Sequence, residues 1–333
     1  MTRNKQGSPQ YRLAVGNLLA ALVAIAGSIA PASAQVYPSK PIRIISPFAP
    51  GGGNDVISRT VAARLGERVK QQVIVENRTG ANGIVGTEVA ARAAPDGHTI
   101  VLIPSGHSVN ASLYRKLPYD SIRDFAPITL VGSSPLLLVV HPTLPVRSVK
   151  ELIAFLRARP GQVTYSSAGI GSSGHLAGAL FDTLTGTKMV HVPYKGNALA
   201  LSDLLGGQVF LNFATTASVM AHVKSGRLRA LATTGATRAA ALADLPTVAE
   251  GGVAGYETGL WYAFVGPAAI PQEIVQRLNT EIVAVLKAAD VRERLMSVGV
   301  EPRPSTPEEL ARLIASDIKR WATVIQRTGV ELQ

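Results

Sequence analysis

Short apolar runs alternate along this chain with stretches whose apolar residues recur at helical spacing. Ile42-Arg43-Ile44-Ile45 has the branched residues of a strand, and in the segment that follows Val56, Ile57, Val61 and Leu65 share one side of a helix. Extended along the chain, this reading predicts strands at 42–46, 73–76, 99–103, 128–131, 136–141, 163–167, 190–193, 209–213, 229–233 and 262–265. Helices are predicted at 55–69, 83–93, 148–158, 175–185, 198–205, 217–224, 271–288, 290–297 and 307–327. The helix at 148–158 is well delimited, with Ser148 as cap, Glu151 three residues on, and Pro160-Gly161 beyond its end. Strands alternating with helices favour an α/β fold, with mostly parallel sheets covered by helices on both faces.

Two segments read as crossovers between lobes. Leu130-Val131-Gly132-Ser133-Ser134-Pro135 reads as a turn between strands, and Gly251-Gly252-Val253-Ala254-Gly255-Tyr256 returns to apolar sequence at Trp261. If both join the same two lobes, one lobe is discontinuous (35–132 with 256–333) and the other is the insertion 133–255. Such an arrangement permits a hinge, and ligands in open α/β sheets bind beyond the carboxyl ends of the strands. The alternative is one large sheet.

Residues 1–34 read as a cleavable signal peptide. Arg3, Lys5 and Arg12 give a basic start, Leu18 to Ile25 an apolar centre, and Ala32-Ser33-Ala34 small residues before a cut after Ala34. The mature protein is therefore expected in the periplasm, as a monomer long enough for two lobes. The net charge of +11 changes little in this picture, because the basic residues are scattered and only 5% of residues are aromatic. A nucleic-acid partner is not expected, although a diffuse positive field suits an anionic ligand. With no cysteine, thiol catalysis, disulfides and zinc–thiolate sites are excluded, and the six histidines show no metal-binding pair at helical spacing. Neither a metal nor a cofactor is expected.

Candidate chemistry lies in two glycine-rich turns, each between a strand and a helix. Pro47-Phe48-Ala49-Pro50-Gly51-Gly52-Gly53-Asn54 leads into the helix at 55, with Asn54 as its expected cap. Glycine lets a bound group approach the backbone, and the unpaired amides of a helix's first turn face an anion with the positive end of the dipole. On this reading the amides of Gly51, Gly52 and Gly53 carry the anion. The second turn is Ser166-Ser167-Ala168-Gly169-Ile170-Gly171-Ser172-Ser173-Gly174-His175. Its Gly169, Gly171 and Gly174 spell a dinucleotide fingerprint, but no acid stands about twenty residues on to hold a ribose. Neither turn has the lysine of a P-loop. What remains is an anion cradle of amides and serine hydroxyls, with a plain helix cap as the bland alternative. A third loop, Pro104-Ser105-Gly106-His107-Ser108, opens toward the same side, and His107 is a candidate donor. An exported hydrolase using a serine with His107 or His175 is the rival reading, although no G-x-S-x-G elbow is present.

Several motifs together resemble the Bug (TctC-like) extracytoplasmic solute receptors of tripartite tricarboxylate transporters. They are Pro47-Phe48-Ala49-Pro50-Gly51-Gly52 with Asp55, then Glu76-Asn77-Arg78 with Gly80-Ala81-Asn82-Gly83 and Gly86, and Leu117-Pro118-Tyr119-Asp120 with Asp124-Phe125. Further on come His175-Leu176-Ala177-Gly178, then His191-Val192-Pro193-Tyr194-Lys195-Gly196 with Asp203-Leu204-Leu205-Gly206-Gly207-Gln208, and Leu245-Pro246-Thr247-Val248. The match runs in order from about Tyr37 to the C-terminus. The resemblance implies a two-lobed periplasmic binding protein of type II, each lobe a mostly parallel sheet flanked by helices, joined by two crossover segments. It implies no chemistry of its own, but closure on a small organic anion: a mono-, di- or tricarboxylate, including aromatic ones. Membrane transporter subunits or a sensor kinase are the implied partners.

The candidate ligand residues are Phe48, Ala49, Pro50, Gly51, Gly52, Gly53 and Asn54 in the first loop, which the resemblance implies, and Ser105, Gly106 and His107 in the loop after 103, which the order of strands places at the same cleft. From the second lobe come Ala168, Gly169, Gly171, Ser172, Ser173 and His175, with Asp203 as an acceptor. Where the family carries serine or threonine after the glycine pair, this chain has Gly53-Asn54, and Phe210 stands where an acid is common. Phe48 and Phe210 would favour an apolar or aromatic acid if both face the cleft.

Overall fold

The computed structural model describes residue 2 and residues 37–194, 196–238 and 242–328. The leader predicted over 1–34, apart from residue 2, and Lys195 thus lie outside the described residues. The chain divides into residues 1–39 and a unit of residues 40–333 that holds every element below.

The strands are β1 (Ile42–Ser46), β2 (Val73–Asn77), β3 (Thr99–Pro104), β4 (Phe125–Val140), β5 (Thr164–Ser167), β6 (Val190–Pro193), β7 (Leu211–Thr215), β8 (Arg229–Thr233), β9 (Gly259–Pro267) and β10 (Glu301–Pro302). The helices are α1 (Gly53–Val69), α2 (Ile84–Ala91), α3 (Gly106–Leu113), α4 (Val149–Arg157), α5 (Ser173–Thr185), α6 (Asn197–Leu205), α7 (Thr216–Lys224), α8 (Gln272–Lys287), α9 (Ala289–Ser297) and α10 (Pro307–Thr328). A turn of 3-10 helix, Ala81–Gly83, precedes α2. Ser148 caps α4 as expected, accepting the Glu151 amide.

Two sheets carry the two lobes. In the first, the order is β2-β1-β3-β9-β4-β10, with β1 parallel to β2 and β3, and β9 antiparallel to β3 and β4. In the second it is β6-β5-β7-β4-β8, with β5 parallel to β6 and β7, and β4 antiparallel to β7 and β8. The long strand β4 belongs to both. Its first part, to Pro135, pairs with β9, and Leu136–Val140 pairs with β7 and β8. Alternation explains why that second part is uniformly apolar. Leu136, Leu138 and Val140 enter one core with Leu152, Phe181 and Phe213, while Leu137 and Val139 enter another with Leu204, Val209 and Val219.

The expected turn at 130–135 is therefore corrected to continuous strand. Ser133 pairs with Trp261 on one side and Glu301 on the other, so both edges of the polar stretch are hydrogen-bonded. Gly132 is required there because a Cβ would lie 2.3 Å from the Glu301 carbonyl oxygen. The return crossing is β9, whose Gly259 and Leu260 lie opposite Pro135 and Ser134. The C-terminal helix α10 also crosses. Leu310 and Ile314 pack with Trp261, Ala263 and Val265, whereas Trp321, Val324 and Ile325 pack with Tyr256 and Phe181. Between these groups Asp317 is buried and accepts Trp261 Nε1 at 3.0 Å.

Candidate functional site

Each parallel strand delivers its carboxyl end to a loop that opens a helix. At the end of β1 the loop Pro47–Gly52 is held from inside. Asp55 Oδ2 accepts the Gly51 amide at 2.9 Å and Arg59 Nε at 3.0 Å, while Oδ1 accepts Asn77 Nδ2 at 2.9 Å. Asn77 Nδ2 also donates to the Phe48 carbonyl at 3.0 Å, so strand β2 fixes the loop that follows β1. Burial alone would raise the Asp55 pKa, but Arg59, the Gly51 amide and Asn77 outweigh it and hold the carboxyl below its usual range.

These bonds correct the expected cradle. The Gly51 amide is engaged by Asp55, and the Gly52 amide points to the Ala49 carbonyl at 3.4 Å. Gly51 is the residue with positive φ (80°), whereas Gly52 is extended (φ −75°, ψ 167°) and caps α1. Asn54 is not the cap. It lies inside the first turn, buried, with its Oδ1 accepting Ser46 Oγ at 2.9 Å and its Nδ2 donating to the Leu102 carbonyl at 2.9 Å. The donors left without an intrahelical acceptor are the first-turn amides of α1, from Gly53 to Asp55.

The loop after β2 packs onto the first. Gly83 and Gly86 permit this: a Cβ on Gly83 would lie 3.0 Å from the Phe48 ring, and one on Gly86 would lie 2.8 Å from Pro47 Cα. Ala81 and Asn82 both adopt positive φ (44° and 52°), an unfavourable pair that the surroundings must enforce. Asn82 Nδ2 donates to Asn110 Oδ1 at 2.9 Å and Asn110 Nδ2 returns to the Asn82 carbonyl at 3.2 Å, which locks this loop to α3. Helix α3 itself replaces the loop expected at 104–108, and it places Gly106 beside Asn82.

In the second lobe the loop between β5 and α5 is closed by its own side chains. Gly169 donates to Ser167 Oγ at 3.1 Å, Gly171 donates to His175 Nδ1 at 3.1 Å, and Ser172 Oγ donates to the Gly169 carbonyl at 2.7 Å. Ser172 caps α5, accepting the His175 amide at 3.4 Å. Ala168 lies within this loop, half-buried. Again the amides without an intrahelical acceptor are those of the first turn, Ser173 and Gly174. His175 stacks on His191 with centroids 3.9 Å apart, and His191 Nε2 lies 2.7 Å from Ser167 Oγ. Burial pushes both rings down to about 4, His191 adding to the effect on His175, so both are neutral near pH 7. The loops of the two lobes meet at Gly171, where a Cβ would strike Leu113 at the end of α3.

Other predicted residues are placed elsewhere. His107 is enclosed in the first lobe, stacked on Tyr119 and edge-on to Phe125, with Nε2 donating to the Ser121 carbonyl at 2.9 Å. Ser105 is buried, its amide on the Trp261 carbonyl at 2.9 Å. Asp203 accepts the Tyr194 hydroxyl at 2.6 Å. Phe210 precedes β7, at the opposite end from the loops, and packs on the second-lobe core, so it lends nothing to a preference for aromatic acids. The guanidinium groups beside the first loop are already paired, Arg59 with Asp55 and Asn77, and Arg78 with Glu76.

One residue that sequence reasoning missed stands against the first residue of α1. Tyr262 in β9 pairs with Pro104, and its hydroxyl lies 3.4 Å from where a Cβ on Gly53 would be. Nothing in the apolar run Trp261-Tyr262-Ala263-Phe264-Val265 marks it out.

The sequence profile described as "Tripartite tricarboxylate transporter family receptor" matches residues 57–330. The chain belongs to this family. BugT of Bordetella pertussis is 39% identical over 313 residues, covering 93% of this chain and 96% of BugT. Among solved structures, R. palustris Rpa4515 with adipate superposes with a TM-score of 0.77 at 37% identity, covering 89% of this chain and 99% of that one. MatC from Rhodopseudomonas palustris with bound malate superposes with a TM-score of 0.73 at 30% identity, over 87% of this chain and all of that one (100%). The tripartite tricarboxylate receptor described here is thus a two-lobed α/β periplasmic solute-binding protein and not an enzyme. The hydrolase reading of a serine with His107 or His175 finds no support: His107 Nε2 donates to the Ser121 carbonyl, His175 Nδ1 accepts the Gly171 amide, and neither ring meets a serine hydroxyl or a carboxylate among the described residues.

Proposed function

We propose that this receptor captures a small dicarboxylate in the cleft between its lobes, one carboxylate at the first turn of α1 and the other at the first turn of α5. The observation that carries this reading is the pair of helix N-termini, each at the carboxyl end of a parallel strand and each with first-turn amides lacking an intrahelical acceptor. The adipate and malate bound by the two R. palustris proteins are both dicarboxylates, which supports the same class. Gly53 and Asn54 supply the first cradle through their amides; Ser173 and Gly174 supply the second, with the Ser173 hydroxyl. Phe48, Ala49, Pro50, Gly51, Gly52, Ala168, Gly169, Gly171 and Ser172 shape these cradles, and Gly106 lines the floor. Ser105, His107, His175 and Asp203 act by holding the loops.

The lobes, 35–132 with 256–333 against 133–255, close over the ligand about β4 and β9. After export and cleavage following Ala34, the loaded receptor delivers its ligand to the membrane subunits of a tripartite transporter. A thermal-shift screen over adipate, malate, succinate, citrate and benzoate tests the ligand class, because a ligand that binds only the folded state raises its melting temperature. Dicarboxylates should give the largest shifts, with compaction in X-ray scattering. A response to benzoate alone, or to none of the five, would overturn the reading.

A further inference from the structure

Tyr262 is nine-tenths buried (9% exposed), yet its hydroxyl hydrogen-bonds no partner among the described residues. Its neighbours along β9, Ala263, Phe264 and Val265, are fully buried and apolar, so a phenylalanine would fill the same volume without bringing a polar atom into the interior. The hydroxyl instead lies against Gly53, the first residue of the seventeen-residue helix α1, where the unpaired amides begin. The strand pairing fixes its position from below: Tyr262 lies opposite Pro104 on one side and Gly132 on the other. A rigid ring on a central strand presents its hydroxyl with little entropy to lose on binding.

We infer that Tyr262 donates the side-chain hydrogen bond that completes the first-lobe carboxylate cradle, sharing one carboxylate with the first-turn amides of α1. This inference rests on the carboxylate reading of the cleft and deepens it. The acidic group closest to this loop, Asp55, has both oxygens engaged by Gly51, Arg59 and Asn77. The first-lobe end therefore presents donors, and it selects for a bare carboxylate over a group that must itself donate. Burial pushes the Tyr262 hydroxyl up to about 12, so it remains a protonated donor throughout the physiological range.

The test compares wild type with Tyr262→Phe, using adipate, malate and citrate as probes. Calorimetry should show the variant binding the best probe about 10- to 100-fold more weakly, the effect of one hydrogen bond to a charged group. Its melting temperature without ligand should not fall. Binding to wild type should perturb the tyrosine absorption band, and that difference signal should vanish in the variant, which a merely structural role for Tyr262 would not cause. Equal affinity in the two proteins, or an unchanged difference band, overturns the assignment while leaving the carboxylate reading intact. If wild type binds none of the three probes, the carboxylate reading falls and this inference with it.

Discussion

The Asp55 carboxylate accepts the Gly51 amide at 2.9 Å, and so the glycine loop is braced from within by the helix it introduces. The same carboxylate gathers Arg59 and Asn77, which makes Asp55 the link between β1, β2 and α1. Asp55→Ala leaves the Gly51 amide without its acceptor and removes one of the two acceptors of Asn77 Nδ2, and should lower unfolding free energy by about 1–3 kcal/mol. Ligand affinity should fall as well, because the loop loses its set shape. Chemical denaturation with calorimetry checks both; a variant with unchanged stability would show the brace to be dispensable.

Glycine in α5 is a matter of packing. Alanine is better than glycine in a helix by roughly 1 kcal/mol, yet a Cβ on Gly178 would lie 2.3 Å from the Tyr165 ring, which is buried and cannot swing away. Overpacking of this kind costs about 1–3 kcal/mol or more, so the clash wins and Gly178→Ala should destabilise. Gly161, with φ 71° but nothing within 4 Å of an added Cβ, is the control. Gly161→Ala should cost only its backbone strain, about 1 kcal/mol. Denaturation midpoints that ranked the two the other way would contradict this packing.

Acid should weaken the fold through three imidazoles. Burial pushes His107, His175 and His191 down to about 4 from an ordinary value of 6.5, with His191 contributing to His175. Between those values the unfolded chain binds more protons than the folded one, so their contribution is complete above about pH 6.5 and is lost as the pH falls toward 4. The enclosed His107 ring costs up to roughly 1.4 kcal/mol per pH unit in that window, and the less enclosed His175 and His191 less. Melting temperatures measured from pH 7 to pH 4 should fall steadily. A flat profile would mean that these rings are not held neutral.

Periodicity made most elements legible, because β1, α1 and the amphipathic α4 and α10 each bury one clear apolar set. Helix α3 was not legible: Gly106-His107-Ser108-Val109-Asn110 has weak helix formers and no apolar period, and it is held by Asn82 and by packing that the sequence does not display. The run Gly132-Ser133-Ser134-Pro135 looks like a turn, but partners on both edges make it strand. At the site, the glycines disclosed where backbone would be exposed. Which amides stay unpaired depended on Asp55 and His175 reaching back into their own loops, and that is decided by side-chain direction. The same limit hid Tyr262 in an apolar strand and made buried His107 look available.

If backbone amides at the two helix N-termini hold the ligand's carboxylates, removing one amide at either end must weaken binding. Gly53 and Ser173 are each the first residue of their helix, preceded by an extended residue (Gly52, ψ 167°; Ser172, ψ 156°), which suits a following proline. Proline is well tolerated at that position, so Gly53→Pro deletes one N–H without breaking α1, and Ser173→Pro, which also loses the hydroxyl, is read against Ser173→Ala, which loses the hydroxyl and keeps the N–H. In calorimetric titrations with the tightest-binding dicarboxylate, each proline variant should keep its ligand-free melting temperature. Each should lose about 10- to 100-fold in affinity, as expected for a hydrogen bond to a charged group. Wild-type affinity in both proline variants would contradict the account.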